Sequence, residues 1–196
     1  MLAPEFSALL TMFIAFSPFF TATYLLFHSF FNNNLQGLIY LAFIIMVQIL
    51  GYLARPMFGG VRPDIAALEN GEIYISKSRA CNIIEDPWFS KYSAPSFHAI
   101  HHSFTFVYIF VYEMVNYKMP KDWAMFFIFL LILVSDGIFR LINKCVLPWH
   151  YISGILWGSV FGVLCYYIIN SFNPSLIFNS RTSELKKCKI DNAKMN

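Results

Sequence analysis

From Phe6 to Ala54 the chain carries no Asp, Glu, Lys or Arg. Across all 196 residues only 13% are charged, against the roughly 25% of an ordinary soluble domain. That shortage excludes a surface built to face water on every side. Cysteine is scarce as well: Cys81, Cys145, Cys165 and Cys188 show no paired spacing, which argues for neither a disulfide framework nor a zinc site. The net charge of +3 is too small to imply a nucleic-acid partner. No internal repeat and no low-complexity segment is evident. A basic stretch before the first apolar segment is also missing, Glu5 being its only preceding charge. That segment exceeds the roughly 7–15 apolar residues of a signal peptide, so a retained helix is expected.

What the chain has is hydrocarbon: 58% hydrophobic residues, with 22 Phe and 11 Tyr. Lipid offers no water to backbone groups, so long apolar spans must be helices. The expected fold is all-α, a polytopic transmembrane helical bundle of about five spans, near 6–31, 35–54, 95–116, 122–142 and 147–172. "FNNNLQG" at 31–37 supplies the first turn. A polar stretch, 55–94, separates the second and third spans and is too long for a bare connector. Within it "RPDIAALENGEIYIS" reads as a short interfacial helix with a turn at Asn70-Gly71. The domain reading is one transmembrane unit over 1–180 and a polar basic tail over 181–196.

Alternation puts the 55–94 stretch and the 140–147 junction on one membrane face, and the 116–122 turn and the tail on the other. Each face carries seven Lys or Arg, so the positive-inside rule does not decide. Basic residues spent on a substrate would leave the tail cytoplasmic and the long loop lumenal, in the endoplasmic reticulum or another internal membrane. Trp88, Trp123 and Trp149 near span ends fit an interfacial belt.

"SAPSFHAIHH" at 93–102 crowds His98, His101 and His102 against the third span. Their H-x-x-H-H spacing shares one helix face and occurs in the histidine boxes of membrane di-iron enzymes. Those centres draw ligands from several boxes, and this chain has five histidines in all, His28 and His150 standing alone. No metal and no other cofactor is therefore expected. His101, His102 and His28 read as structural or interfacial.

Three other segments surface on one face: "ARPMFGGVRP" at 54–63, "PSFH" at 95–98 and "NKCVLPWHYISG" at 143–154. They bring Arg55, Arg62 and Lys144 together with Ser96, His98 and His150. Guanidinium and ammonium groups neutralise phosphate oxygens. One imidazole can attack phosphorus while the other protonates the leaving oxygen. Asp136 and Arg140, four apart in an apolar span, read as an i,i+4 pair or the mark of a site.

The order Arg-x6-Arg-Pro, Pro-Ser-x-His, basic-x5-His resembles the three motifs of the type 2 phosphatidic acid phosphatase superfamily. These are integral-membrane lipid phosphatases related to vanadium haloperoxidases, with the patterns Lys-x6-Arg-Pro, Pro-Ser-Gly-His and Ser-Arg-x5-His-x3-Asp. The resemblance implies His150 as nucleophile and His98 as general acid, with Arg55, Arg62, Ser96 and Lys144 on the phosphate. It also implies a lipid phosphate substrate and a metal-independent mechanism. The sequence departs at Arg55 for lysine, Phe97 for glycine, Asn143 for serine, Lys144 for arginine and Gly154 for the aspartate that orients the nucleophile. Asp136 is then a candidate to orient His150. Inositol phosphorylceramide synthases also carry a large apolar residue in the second motif. "HYISGILWG" at 150–158 is similar to the third motif of dolichyldiphosphatases, which lack that aspartate too, and a polyprenyl diphosphate is the favoured substrate. A lipid phosphotransferase and an inactive lipid-binding protein of the same fold stay open. What separates the last is whether an acceptor lies within reach of the His150 ring.

Overall fold

A computed structural model of the chain describes residues 4–61, 92–115 and 123–178. The described residues form six α-helices: α1 (Pro4–Ala15), α2 (Ser17–Phe31), α3 (Gln36–Phe58), α4 (Phe97–Val115), α5 (Trp123–Ile142) and α6 (Pro148–Phe172). A 3-10 turn, Pro174–Leu176, follows α6. Arg62, the interfacial helix and Asn70-Gly71 turn expected inside 55–94, the 116–122 turn and the basic tail lie outside the described residues.

Where one first span is expected, there are two helices. Pro18 has no N–H to give the Ile14 carbonyl, and the Ser17 hydroxyl takes that carbonyl instead, at 2.8 Å. At about 1.5 Å per residue, α1 and α2 reach only roughly 18 and 22 Å, short of a bilayer core of about 30 Å. Among the described residues, three helices are long and apolar enough to cross: α3, α5 and α6. The fourth helix is different in kind. It lies against α2, α3, α5 and α6, and its His98, His101, His102, Ser103 and Thr105 are buried. A helix enclosed by others can carry polar groups that a lipid-facing one cannot.

Large apolar side chains face outward along the crossing helices, as Ile45, Ile49 and Leu53 do on α3, and Ile152, Leu156, Val160 and Leu164 on α6. Exposed apolar stripes of this extent belong in hydrocarbon. The chain is an integral membrane protein. Inside, Tyr40, Ile44, Val47, Ile100, Phe104, Tyr108 and Tyr166 make one core.

The tightest seam runs between α4 and α6. Gly154, Gly158 and Gly162 recur every fourth residue along one face of α6. A Cβ on Gly154 would stand 2.7 Å from both the Ala99 Cβ and the Ser96 carbonyl oxygen. One on Gly158 would strike Ser103 Oγ and the Ile100 carbonyl, and one on Gly162 would lie 3.1 Å from the Phe104 carbonyl. Small residues let transmembrane backbones approach this closely. The Ser96 N–H also donates to the His150 carbonyl at 3.0 Å, locking the N-terminal ends of both helices together.

Cysteine spacing concealed one covalent link. Cys165 is free and buried, but Cys145 is disulfide-bonded, to a partner outside the described residues.

Gly158→Ala is expected to force the seam apart and to destabilise the protein by about 1–3 kcal/mol, the range for overpacking a filled interior. Val160→Ala, on the outward face of the same helix, is expected to change little. Thermal unfolding in detergent checks both; unchanged stability in Gly158→Ala would mean the backbones do not meet there.

Candidate active site

The seam dictates where the histidines go. His98 sits in the first turn of α4 and His150 in the first turn of α6, so both rings leave the locked end of one helix pair. Both are completely buried.

Each ring is held through Nδ1, by partners of different chemistry. His98 Nδ1 lies 3.0 Å from Asp136 Oδ1 on α5. That same oxygen accepts from Arg140 Nε at 3.1 Å. The other carboxylate oxygen receives the Tyr151 hydroxyl at 3.3 Å, which also reaches the Leu133 carbonyl at 3.0 Å. Asp136 and Arg140, 1% and 2% exposed, form the i,i+4 pair read from the sequence. The expected use of Asp136, orienting His150, is not what the fold makes: Asp136 holds His98.

His150 Nδ1 instead meets Ser93 Oγ at 2.7 Å. The Ser93 N–H donates to the Gly60 carbonyl at 2.8 Å, and Val61 and Tyr92 form an antiparallel bridge beside it. Ser93 thus arrives from the returning end of the long polar segment. Gly60 lies against the imidazole: a Cβ there would stand 2.7 Å from His150 Nε2 and 2.5 Å from the Ala94 Cβ. His150 Nε2 and Ser96 Oγ are buried with no hydrogen-bond partner among the described residues. Ser96 immediately precedes α4, whose first N–H groups have no acceptor within their own helix and carry partial positive charge toward an anion.

The remaining candidates are less concentrated. Arg55, in the last turn of α3, is buried with its guanidinium 5.4 Å from the Tyr52 ring centroid. Lys144 lies exposed in the turn between α5 and α6, with φ 55°. Arg62 falls outside the described residues. His102 belongs to the frame. Ser17 gives its proton to Ile14, so its oxygen accepts from His102 Nε2 at 2.9 Å. His101 lines an apolar cavity with Phe16, Phe19, Ile45 and Phe97.

The ligand atoms of His98, His102 and Asp136 fall within 4.8 Å of one another, close enough to ask whether they hold a metal. The donor set does not fit. Asp136 Oδ1 already accepts from His98 Nδ1, and the guanidinium on that oxygen opposes a second positive charge. The trio reads as a hydrogen-bonded network around a buried carboxylate.

Sequence reasoning missed Ser93, Gly60 and Tyr151. The tyrosine directly follows His150, but its aim at Asp136 depends on how α5 and α6 pack. Ser93 stands three before the motif serine, and no spacing rule singles it out. Its role exists only because the chain folds back at Gly60.

Comparison with curated proteins and with solved structures finds no match. The profile of the PAP2 superfamily matches residues 36–177, which span every described residue of the site. A match over more than two thirds of the chain, with the histidines of the second and third motifs on one locked helix pair, places this protein in the PAP2 superfamily.

Proposed function

We propose that the protein hydrolyses a lipid phosphate or a polyprenyl diphosphate of the dolichyl type through a phosphohistidine intermediate. A phosphatase-type activity at the membrane follows from membership of the superfamily; the substrate and the covalent route are inferred from the site. One observation carries the reading. Two buried imidazoles stand at adjacent helix ends, each with Nδ1 engaged. An imidazole held at one nitrogen presents the other in a defined direction, as nucleophilic attack and proton transfer require.

Arg55, Arg62 and Lys144 neutralise the non-bridging oxygens, and Ser96 donates to one of them. Fixed cations and donors supply the charge stabilisation. The Ser93 hydroxyl supplies the bond to the His150 ring that Gly154 cannot, which favours an active enzyme over an inert relative. Beside the N-terminus of α4 lies a cavity of about 560 Å³, walled by Phe16, Phe19, Leu41, Ile45, Ile49 and Phe97. Its size lies inside the roughly 300–1,000 Å³ range of ligand sites, and its walls suit the substrate's hydrocarbon chain.

The disulfide at Cys145 lies on the face that holds the site, between Lys144 and His150. Disulfides persist in oxidising compartments, so the site faces the lumen of an internal membrane or the cell exterior. The basic tail then lies in the cytosol.

Phosphate release from phosphatidic acid and from farnesyl diphosphate in mixed micelles is expected for the wild type, with inhibition by vanadate. His150→Ala is expected to lose at least about 10²-fold in rate with one of these lipids, the contribution of a positioned acid or base. Equal release by wild type and variant would remove His150 from the mechanism.

Gly60→Ala is expected to lower kcat by on the order of 10²-fold, because displacing a catalytic group by about 1 Å has that effect, and to lower thermal stability as well, because the added Cβ would press on the Ala94 Cβ and the Trp149 ring. Unaltered kcat would mean the glycine does not border the reacting nitrogen.

A glycosylation sequon inserted between residues 62 and 91 is expected to be modified in cells, and one appended to the C-terminus is not. The reverse pattern would invert the orientation.

A further inference from the structure

The chemistry proposed above gives Asp136 no task, yet a buried carboxylate is costly to keep inside a membrane bundle. Its bonds run to both helices that carry the site. Asp136 Oδ1 accepts from His98 Nδ1 on α4 at 3.0 Å and from Arg140 Nε on its own helix at 3.1 Å. Oδ2 accepts at 3.3 Å from the hydroxyl of Tyr151, the residue after His150 on α6. The Tyr151 ring reaches α5 where position 137 is bare: a Cβ on Gly137 would stand 2.9 Å from it.

A carboxylate only accepts hydrogen bonds, so His98 keeps a proton on Nδ1 whether its ring is neutral or charged. In the charged ring the second proton sits on Nε2, the nitrogen turned away from Asp136. An imidazolium that is 0% exposed has no bulk water to solvate it, and the adjacent carboxylate takes over that work. Once the ring has given its proton away, Arg140 and Tyr151 still hold Asp136, so no uncompensated charge is left behind. This suits a ring that loses and regains one proton in every turnover. The Ser93 hydroxyl on His150 carries no charge and cannot do the same.

We infer that Asp136 is the positioning residue of the proton donor: it aims the Nε2–H of His98 at the leaving oxygen, and Arg140 and Tyr151 keep it in place through the cycle. This rests on the phosphohistidine reading above, with His150 attacking and His98 protonating. In the first step the His150 Nε2 lone pair forms the N–P bond while the bond from phosphorus to the lipid-side oxygen breaks. That oxygen takes the Nε2 proton of His98. In the second step water attacks phosphorus and yields a proton to His98 Nε2. The N–P bond breaks, its electron pair returns to His150, and inorganic phosphate leaves. Asp136 therefore governs the first step only as far as the leaving oxygen needs a proton. An alkoxide needs one, whereas a phosphate leaves without it.

The test compares two leaving groups on the full-length protein in detergent. Pre-steady-state bursts of diacylglycerol from phosphatidic acid, and of farnesyl phosphate from farnesyl diphosphate, report the first step. Asp136→Asn keeps the shape and removes the charge. It is expected to slow the diacylglycerol burst by at least about 10²-fold, the contribution of a positioned acid, with KM little changed. The farnesyl phosphate burst is expected to slow far less. Tyr151→Phe, which keeps the charge and loses one brace, is expected to show the same bias at smaller size. A second measurement leaves Asp136 untouched. In protein with isotope-labelled histidine, the nitrogen NMR signals of His98, assigned by their loss in His98→Gln, are expected to show Nδ1 protonated.

Equal slowing of the two bursts in folded Asp136→Asn protein would make Asp136 a structural support and overturn the inference. A diacylglycerol burst at the wild-type rate would overturn it too. A bare His98 Nδ1 would do so with no Asp136 variant at all, whether or not that variant folds and whichever lipid is cleaved. Each of these results leaves the phosphohistidine reading intact. Absence of phosphohistidine after an alkaline quench with either lipid would remove that reading itself.

Discussion

The contact between α4 and α6 sets the terms for everything else in this protein. Without a hydrophobic drive between helices in lipid, close van der Waals packing must hold them, and Gly154, Gly158 and Gly162 make that packing possible. The price appears at Gly154. Any side chain there would meet the Ser96 backbone and the Ala99 methyl, so the aspartate that the family motif places at this position has no room. One seam therefore brings the two imidazoles to a common end and evicts the carboxylate from its usual helix.

A carboxylate is nonetheless present, on α5, where its burial has to be compensated. An ionised group inside a membrane bundle is costly unless paired and hydrogen-bonded. Asp136 receives a guanidinium, an imidazole N–H and a tyrosine hydroxyl. Removing one partner from such a buried set leaves an uncompensated charge, which destabilises more than the pair itself stabilises. The network is therefore rigid, and it holds the His98 ring in one orientation. The Ser17–His102 bond continues the same frame into α2, which explains why a serine stands where the first apolar segment breaks.

Much of this was readable from sequence because it rests on local chemistry. The uncharged run 6–54 demands hydrocarbon around it, and motif order with span alternation puts 98 and 150 at the same helical end. The i,i+4 spacing of Asp136 and Arg140 needs only helical geometry. Features that depend on the third dimension were hidden. The Pro18 break was masked by unbroken hydrophobicity, since hydropathy does not register a missing N–H. The partner of Asp136 required knowing which face of α5 meets α4. Ser93 required the return of the chain beside Gly60, and the bonded state of Cys145 required a partner remote in sequence.

The arrangement also bears on how a lipid would meet its chemistry. A phosphate headgroup needs cations and donors, whereas its chain needs contact with hydrocarbon, and the N-terminus of α4 lies between the two. On one side of that helix end are Ser96 and the imidazoles; on the other, Phe97 and His101 wall the apolar cavity. Glycine, which the family motif has at position 97, would leave that wall open. The phenylalanine contributes to that wall, and its ring lies 6.2 Å from the His98 imidazole. The departure that looks most damaging to the second motif thus places an apolar ring between the cavity and the buried His98–Asp136 pair, where low polarity strengthens the bond between them.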